Sequence, residues 1–435
     1  MKTFIKKIIP VFLVNWYHYG LSLIGAIWYG FPSKKLIVIG VTGTKGKTTV
    51  SNLICQILNE CGLKSGMAST VNFRIGDKEW VNTSKQTMLG RLSLQKLLRQ
   101  MVQEKCKYAV VETSSEGILQ HRHRNIDYSI AVFTNLSPEH IERHGSFENY
   151  KKAKLKLFEI VAQKKDGIGV YNLDNEHAGD FIVPKIAHRI GFSTEGKTSP
   201  LLERVYIVSD IQLFANRSEF LFEKEKIIIP LIGKFNVYNA ATAMCVALSQ
   251  GLQLQEIKKA LLAVEAPAGR FEIIDEGQNF KAIADYSYEP LGLENALKTA
   301  QVFNPNRVIV VFGSAAGGRD HWRRAAMGKI ADKLADVIFV TTDDPYDEEP
   351  AKIIEDIAKV VLENPKRILS VNVFKVVDRR EAIQKALQFA KANDVVLFSG
   401  KGGEQWMNIA HGKKIPWQEA VIVREELQKL KNIPS

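Results

Sequence analysis

Two periods of apolar and polar residues alternate along this chain. Leu36-Ile37-Val38-Ile39 is a continuous apolar run and reads as a buried strand, whereas Ser51 to Leu58 repeats apolar residues at helical spacing. Tyr108–Glu112 and Ser129–Thr134 read as further buried strands that end on polar residues, 147–163 as a lysine-rich helix, and Gly167–Asn172 as another strand. From Ile207 to Pro230 the runs shorten and alternate, as in an antiparallel patch, and 235–265 reads as helices. Ala266-Pro267-Ala268-Gly269 is a natural linker. Beyond it the pattern predicts strands near 281–285, 307–312, 337–341 and 394–398, several followed by loops rich in Gly, Asp and Arg. Alternation of this kind argues a mostly parallel sheet covered by helices. In open sheets of that type ligands bind at the carboxyl ends of the strands, so two such units are expected to face one shared cleft.

Residues 1–33 follow neither period. Lys6-Lys7 precede Ile8 to Gly30, which is apolar and aromatic with Asn15, His18 and Ser22 as its main polar interruptions. No small-residue cleavage site follows, which argues against a signal peptide. The length suffices for a membrane span, but Pro10, Asn15, His18 and the cluster Trp16-Tyr17-His18-Tyr19 oppose it. Helices that dock on the body are favoured, followed by helices that lie in a membrane interface, where Trp, Tyr and Lys are at home.

Composition narrows this only a little. A chain of 435 residues is expected to hold two or three domains, and 46% apolar residues suffice for a real core. The net charge of +12 admits nucleic acid, an anionic surface or acidic small substrates. No long Arg/Lys tract or aromatic-basic alternation favours nucleic acid. Cys55, Cys61, Cys106 and Cys245 form no C-x-x-C pair and no zinc spacing, so free thiols in a reducing, cytoplasmic setting are the simplest reading.

Chemistry concentrates between the first strand and the first helix. Gly43-Thr44-Lys45-Gly46-Lys47-Thr48-Thr49 forms a glycine turn of the kind that cradles phosphate on backbone amides and a helix N-terminus. Lys47 would reach terminal phosphates and the Thr48 hydroxyl would ligate Mg²⁺. The strict pattern G-x-x-x-x-G-K-[ST] fails at Val41, and the bland alternative is a strand–helix turn with an exposed lysine. Glu112, at a strand end, could complete a Mg²⁺ shell begun by Thr48. His140 follows another strand end and could share a helix face with His144. Lys154, by residue type alone, reads as a solvated lysine. The expected fold class is α/β: a P-loop central ATPase domain with a mostly parallel sheet over 34–267, a Rossmann-like C-terminal α/β domain over 268–435, and a short apolar helical N-terminal segment over 1–33.

Read together, these pieces resemble the Mur ligase family of ATP-dependent amino-acid ligases, and within it the MurE type, the UDP-N-acetylmuramoyl-tripeptide synthetases. The match is carried by Gly-Thr-Lys-Gly-Lys-Thr-Thr (43–49), Glu-Thr-Ser-Ser (112–115), Gln-His-Arg (120–122), Phe-Thr-Asn-Leu-Ser-Pro-Glu-His (133–140) and Ala-Lys-Leu-Lys-Leu-Phe (153–158). Gly-Lys-Phe-Asn-Val-Tyr-Asn-Ala (233–240), Gly-Arg-Phe-Glu (269–272), Gly-Gly-Arg-Asp (317–320), Asp-Asp-Pro (343–345) and Gly-Lys-Gly (400–402) extend it in family order. The resemblance implies ATP and two Mg²⁺ ions. Lys47 and Thr48 would hold phosphates and metal, Glu112 would bind metal, His140 would serve a second ion, and Lys154 falls on a lysine that the family carbamylates. Asn236, Asn239, Arg270 and Asp285 would contact the nucleotide. Ser114, Gln120 and Arg122 would lie along the acceptor, while Arg319, Asp343, Asp344 and Glu404 would line the amino-acid pocket. The implied partners are small molecules: ATP, an amino acid and a peptidoglycan precursor. A monomer that binds no nucleic acid is expected, with membrane contact through residues 1–33 as the open alternative.

Several departures from the family matter. Lys45 replaces an Asn, Asn-Thr-Ser-Lys-Gln-Thr (82–87) replaces a Thr-Thr-Pro segment, and Tyr288 replaces a His. About 35 residues precede the first ATPase strand, too few for the family's N-terminal uridine-nucleotide domain. The acceptor's nucleotide end would then be held differently, or the acceptor is not a UDP compound. Asp-Asp-Pro-Tyr (343–346) replaces Asp-Asn-Pro-Arg, whose arginine would bind the distal carboxylate of diaminopimelate. With Asp347, Glu348 and Glu349 adjacent, lysine is favoured over diaminopimelate as the added amino acid. The rivals are the same chemistry on a folylpolyglutamate- or poly-amino-acid-type acceptor, and a membrane-docked P-loop ATPase without ligase turnover.

Overall fold

The computed structural model describes residues 11–84, 86–139, 141–317 and 320–431. His140 and Arg319, named above as site candidates, lie outside them, as do Lys6, Lys7 and Pro10.

Two sheets organise the described chain. The first contains β1 (Ile37–Thr42), β2 (Ser65–Ala68), β3 (Asn72–Ile75), β4 (Lys78–Val81), β5 (Tyr108–Glu112), β6 (Tyr128–Phe133), β7 (Ile168–Asn172), β8 (His188–Ser193), β9 (Arg204–Phe214), β10 (Arg217–Phe222) and β11 (Glu225–Ile229). They lie side by side in the order 11-10-9-8-7-6-1-5-2-3-4. From β9 through β2 the pairs are parallel, and the ends β2–β3–β4 and β9–β10–β11 are antiparallel. β1, β5 and β6 are buried on both faces, so helices must cover each side there.

The covering helices follow from their spacing. In α2 (Lys47–Glu60), Val50, Leu53, Ile54, Ile57 and Leu58 make one apolar stripe that packs with Val237, Ala241 and Met244 of a later helix on one core. On the other face, α3 (Arg91–Gln103) contributes Leu94, Leu97, Leu98 and Met101 to a second core. There it meets Leu157, Phe158 and Val161 of α5 (Phe147–Val161); the short helix α4 (Ser115–Leu119) lies between them in sequence.

β1 sits between β5 and β6, so the strand order reverses on either side of it. Val41 stands level with Glu112, and Thr42 with Phe133. The glycine turn, Glu112 and Thr134 therefore leave the sheet together at the carboxyl ends of its central strands, the place where open α/β sheets bind ligands.

The second sheet contains β12 (Glu272–Ile274), β13 (Lys281–Asp285), β14 (Val308–Phe312), β15 (Val337–Thr341), β16 (Val373–Val376) and β17 (Val395–Ser399), in the order 12-13-17-14-15-16. All its pairs are parallel except β12–β13. β12 and β16 were not anticipated: both are short edge strands, and an edge needs little apolar alternation. Asp285 is level with Ser399, so β13 and β17 deliver Asp285 and the turn at Gly400 to the same end of the sheet.

An apolar N-terminal helix, α1 (Val11–Trp28), docks on α3. Ser22 donates to the Arg124 carbonyl (2.8 Å) and accepts from the Asn125 amide side chain (3.1 Å). Gly25 permits the approach, because a Cβ there would lie 3.2 Å from Leu92 Cδ2. No helix among the described residues is long and apolar enough to cross a membrane.

Candidate active site

The turn after β1 is built on Gly43 (φ 151°) and Gly46 (φ 81°). A side chain at Gly46 would run into the Asn239 carboxamide, and one at Gly43 into Thr134. Val41, where the strict motif would have glycine, is a fully buried strand residue, so the mismatch lies outside the turn.

Two cations converge on this turn. Lys47 Nζ donates to the carbonyls of Gly43 (3.0 Å) and Thr44 (2.9 Å), and Lys154 Nζ donates to the Gly43 carbonyl at 2.6 Å. Lys154 is thus no solvated lysine but a buried one whose ammonium lies 4.6 Å from the centre of the Tyr150 ring. Burial, reinforced by the neighbouring Lys47 charge, pushes its amine well below the usual lysine range. Burial likewise lowers Lys47, with Lys45 and Arg270 adding to the effect.

Beside them, Thr48 Oγ1 donates to Glu112 Oε2 at 3.0 Å, and the Thr70 amide donates to the same oxygen at 2.8 Å. Arg270, just past the linker, reaches Thr48 Oγ1 at 3.3 Å while its guanidinium stacks 4.4 Å over Tyr286. His144 is buried against Tyr150, with neither ring nitrogen hydrogen-bonded, and burial followed by the Lys154 charge lowers its pKa.

Lys45 is held by acidic and aromatic neighbours. Its backbone N–H is taken by Asn135 Oδ1 (2.9 Å), and its ammonium lies 3.0 Å from Glu289, 3.6 Å from Glu139 and 4.3 Å from the Tyr288 ring centre. Burial alone would lower its pKa, but the two carboxylates reverse the sign and hold it above the usual range. Its charge therefore clasps the second sheet to the turn instead of adding freely to the phosphate field. Tyr288 donates to Glu139 at 3.0 Å, and Glu289 caps the helix α7 (Pro290–Ala300). The two sequence departures, Lys45 and Tyr288, are thus in direct contact. Lys45→Asn and Tyr288→His are each expected to raise the ATP KM several-fold. In a double-mutant cycle their effects should be non-additive by about 1 kcal/mol. Additivity in steady-state kinetics would contradict the clasp.

Two cavities open on either side of this centre, each of about 400 Å³. One is lined by Gly46, Asn239, Arg270 and Asp285, all expected above to contact the nucleotide, and also by Phe235, Tyr238 and Thr242. Those last three share a face with Asn239 on α6 (Lys234–Ser249), a spacing that could have revealed them. Asn236 does not line it: its side chain binds the Ile232 carbonyl (2.9 Å) and accepts from Asn239 (3.1 Å), so it positions Asn239. Asp285 accepts from the Phe271 amide (2.7 Å), and burial raises its pKa.

The other cavity is lined by Ser114, Arg122, Asp344 and Glu404, together with Lys47, Lys154 and Arg270. Gln120 lies behind, accepting from Arg122 Nη2 at 2.7 Å. Asp343 also lies behind: it accepts from the Asp344 amide (2.7 Å), and burial raises its pKa. The expected acidity of this end is largely neutralised from within. Fully buried Lys401 pairs with Asp344 (2.7 Å) and with Glu404, Glu348 pairs with Arg324 (2.6 Å), and Asp347 accepts from the His411 amide (2.7 Å). Lys401, Tyr346 and Lys414 were not singled out as site residues from the sequence, and the last two line the cavity.

A phosphate-type turn at the switch point of one mostly parallel sheet, faced by a second such sheet across a nucleotide-sized cavity, defines an α/β nucleotide-binding fold. Residues 41–247 match the Mur ligase middle domain, and residues 269–402 match the Mur ligase glutamate ligase domain. A Clostridium botulinum protein named UDP-N-acetylmuramoyl-L-alanyl-D-glutamate–2,6-diaminopimelate ligase is 36% identical over 412 residues, which cover 94% of this chain and 82% of that one. A UDP-N-acetylmuramyl-tripeptide synthetase from Roseiflexus sp. is 34% identical over 423 residues, with the same 94% and 82% coverage. A solved structure of a UDP-N-acetylmuramoyl-L-alanyl-D-glutamate–2,6-diaminopimelate ligase superposes with TM-score 0.61 at 29% identity, over 91% of this chain and 79% of that one. The chain belongs to the Mur ligase family, whose members are ATP-dependent ligases of peptidoglycan synthesis.

Proposed function

We propose that this protein joins the amine of a diamino acid to a carboxylate of a UDP-N-acetylmuramoyl-dipeptide-type precursor, with ATP as the activating substrate. The observation that carries this reading is the position of Arg270, Lys47 and Lys154. Arg270 lines both large cavities and the phosphate cleft between them, and Lys47 and Lys154 stand where the cleft meets the acceptor side.

The adenine and ribose would lie against Tyr238, Asn239 and Arg270, leaving the γ-phosphate at Lys47. The acceptor carboxylate, guided by Arg122 and Ser114, would attack the γ-phosphorus and form an acyl phosphate. The incoming amine, entering past Glu404 and Asp344, would attack the acyl carbon, and inorganic phosphate would leave. Closure of the second sheet over the turn excludes water, which would otherwise hydrolyse the acyl phosphate.

Thr48 and Glu112 are hard oxygen donors joined at 3.0 Å, a pair suited to Mg²⁺. Among the described residues no cluster of three or more His, Cys, Asp or Glu forms a ready-made metal site, so the ion would share its shell with phosphate and water. Bound Mg²⁺ would neutralise charge on the phosphate oxygens. Lys154, with its depressed amine, would add CO₂ to give a carbamate and release a proton. That turns a cation crowded by Lys47 into an anion, which with His140 would hold the second ion.

For the amino acid, lysine is favoured because Tyr346 supplies no cation for a distal carboxylate. A second reading, diaminopimelate, is favoured by the names of the relatives and by Lys414, which lines the cavity beside Asn408. On the lysine reading, kcat/KM for lysine exceeds that for meso-diaminopimelate at least about tenfold, and Lys414→Met changes it less than about twofold. On the other reading the preference reverses and Lys414→Met costs about tenfold or more, the worth of one charged hydrogen bond. The reaction itself is tested by mixing protein, ATP, Mg²⁺ and UDP-N-acetylmuramoyl-L-Ala-D-Glu with one amino acid at a time. A product heavier by one residue in mass spectra supports the proposal; none with any amino acid sinks it.

A further inference from the structure

We infer that the outer face of α1 lies on the surface of an anionic lipid bilayer. This helix has two faces with different fates. Ser22, Gly25 and Ala26 are buried against the body, whereas Trp16 (74% exposed), Tyr17, Ile24, Ile27 and Trp28 (79% exposed) point away from it. At 100° per residue the exposed set falls on one side of the helix and the buried set on the other. The outward face therefore presents two tryptophans, a tyrosine and two isoleucines with no charge among them. It is uncovered by any described part of the chain.

Cations border this face, and the sequence leading into it carries no acid. No Asp or Glu occurs before Glu60, while lysines stand at 2, 6, 7, 34 and 35. The helix on which α1 docks, α3, carries Arg91, Lys96 and Arg99 and no acid. Ile27, Trp28, Lys35, Lys96 and Arg99 line one groove, so cations border the apolar face directly. Arg124 adds another, stacked 5.2 Å over Tyr19.

An apolar face edged by tryptophan and tyrosine and bordered by lysine and arginine is the pattern of an interfacial helix on anionic lipid. A second copy of this chain fits poorly, because a two-fold contact would set Lys35, Lys96 and Arg99 against their own equivalents. Nucleic acid fits poorly too, because Ile24 and Ile27 occupy the centre of the face. Among the described residues no helix is long and apolar enough to cross a membrane. The inference is independent of the substrate assignment.

Flotation of the full chain with phosphatidylcholine vesicles, with and without about one-third phosphatidylglycerol, tests it. Binding should be at least about tenfold greater on the anionic vesicles and should fall steeply with added salt. The triple variant Trp16→Ser, Ile24→Ser, Trp28→Ser should lose about tenfold on those vesicles. Its Tm and ATP turnover in free solution should be unchanged, because none of these residues approaches the active site. A second variant, Lys96→Glu with Arg99→Glu, should lose the preference for anionic lipid while leaving the apolar face intact. Equal binding of wild type and triple variant would overturn the inference. So would no binding to either vesicle, or a wild-type dimer in sedimentation that the triple variant dissolves without any vesicle binding.

Discussion

Lys154→Ala is expected to lower ligase turnover by at least about 100-fold, and a short carboxylate such as acetate should restore part of the loss. Lys154 is fully buried, its Nζ is held by the Gly43 carbonyl, and a second ammonium, Lys47, is fixed on the same carbonyl. Burial first, and then the charge of the second ammonium on the same acceptor, hold the Lys154 amine well below its usual range. A neutral amine is the form that reacts with CO₂. The resulting carbamate would place an anion where the second Mg²⁺ is proposed to sit. A diffusible carboxylate can occupy the space left by alanine; a merely structural lysine would show no such rescue. Turnover with and without acetate, beside the Tm of both proteins, separates the two. Full activity in Lys154→Ala would refute the carbamate role.

Glu112→Gln is expected to cut kcat by about 100-fold to 1,000-fold and to raise the Mg²⁺ concentration needed for half-maximal rate by more than about tenfold. Glu112 Oε2 accepts from both Thr48 and the Thr70 amide, so its position is fixed before any ion arrives. Glutamine keeps the shape but removes the charge that would face Mg²⁺, and it turns one acceptor into a donor facing Thr48. The loss should therefore appear in the Mg²⁺ titration more than in the acceptor KM. An unchanged Mg²⁺ dependence would remove Glu112 from the metal site.

The strands β1, β5, β6 and β7 and the turn were legible because local pattern determines them, whereas β2, β3, β4 and β8 are short or lie toward the edges and were not read. The apolar run at 36–39, the glycines at 43 and 46 and the stripe from Val50 to Leu58 each dictate their conformation without distant help. Lys154 was not legible from residue type. Its burial depends on Gly43, 111 positions away, and only the family resemblance drew attention to it. The acidic loop at 343–349 shows the opposite error. Its charge is plain in the sequence, but the cation that neutralises it, Lys401, comes from the end of another strand, 57 positions away from Asp344. Local charge was counted there and the pairing could not be. Asn236, Gln120 and Asp343 were chosen by motif, and each proves to orient the neighbour that faces a cavity: Asn239, Arg122 and Asp344. A motif marks both kinds of residue alike. The contact of Lys45 with Tyr288 joins two positions 243 apart, so two unrelated departures in the sequence become one feature only in the fold.

The central claim is that ATP cleavage, acceptor activation and amine capture share one cleft around Lys47, Lys154 and Arg270. Release of inorganic phosphate from ATP and Mg²⁺ measures it most directly, with acceptor and amino acid each supplied or withheld. Rapid release is predicted only when both are present, at a rate equal to that of product formation. Sustained release with ATP alone would contradict the account and leave an ATPase in its place.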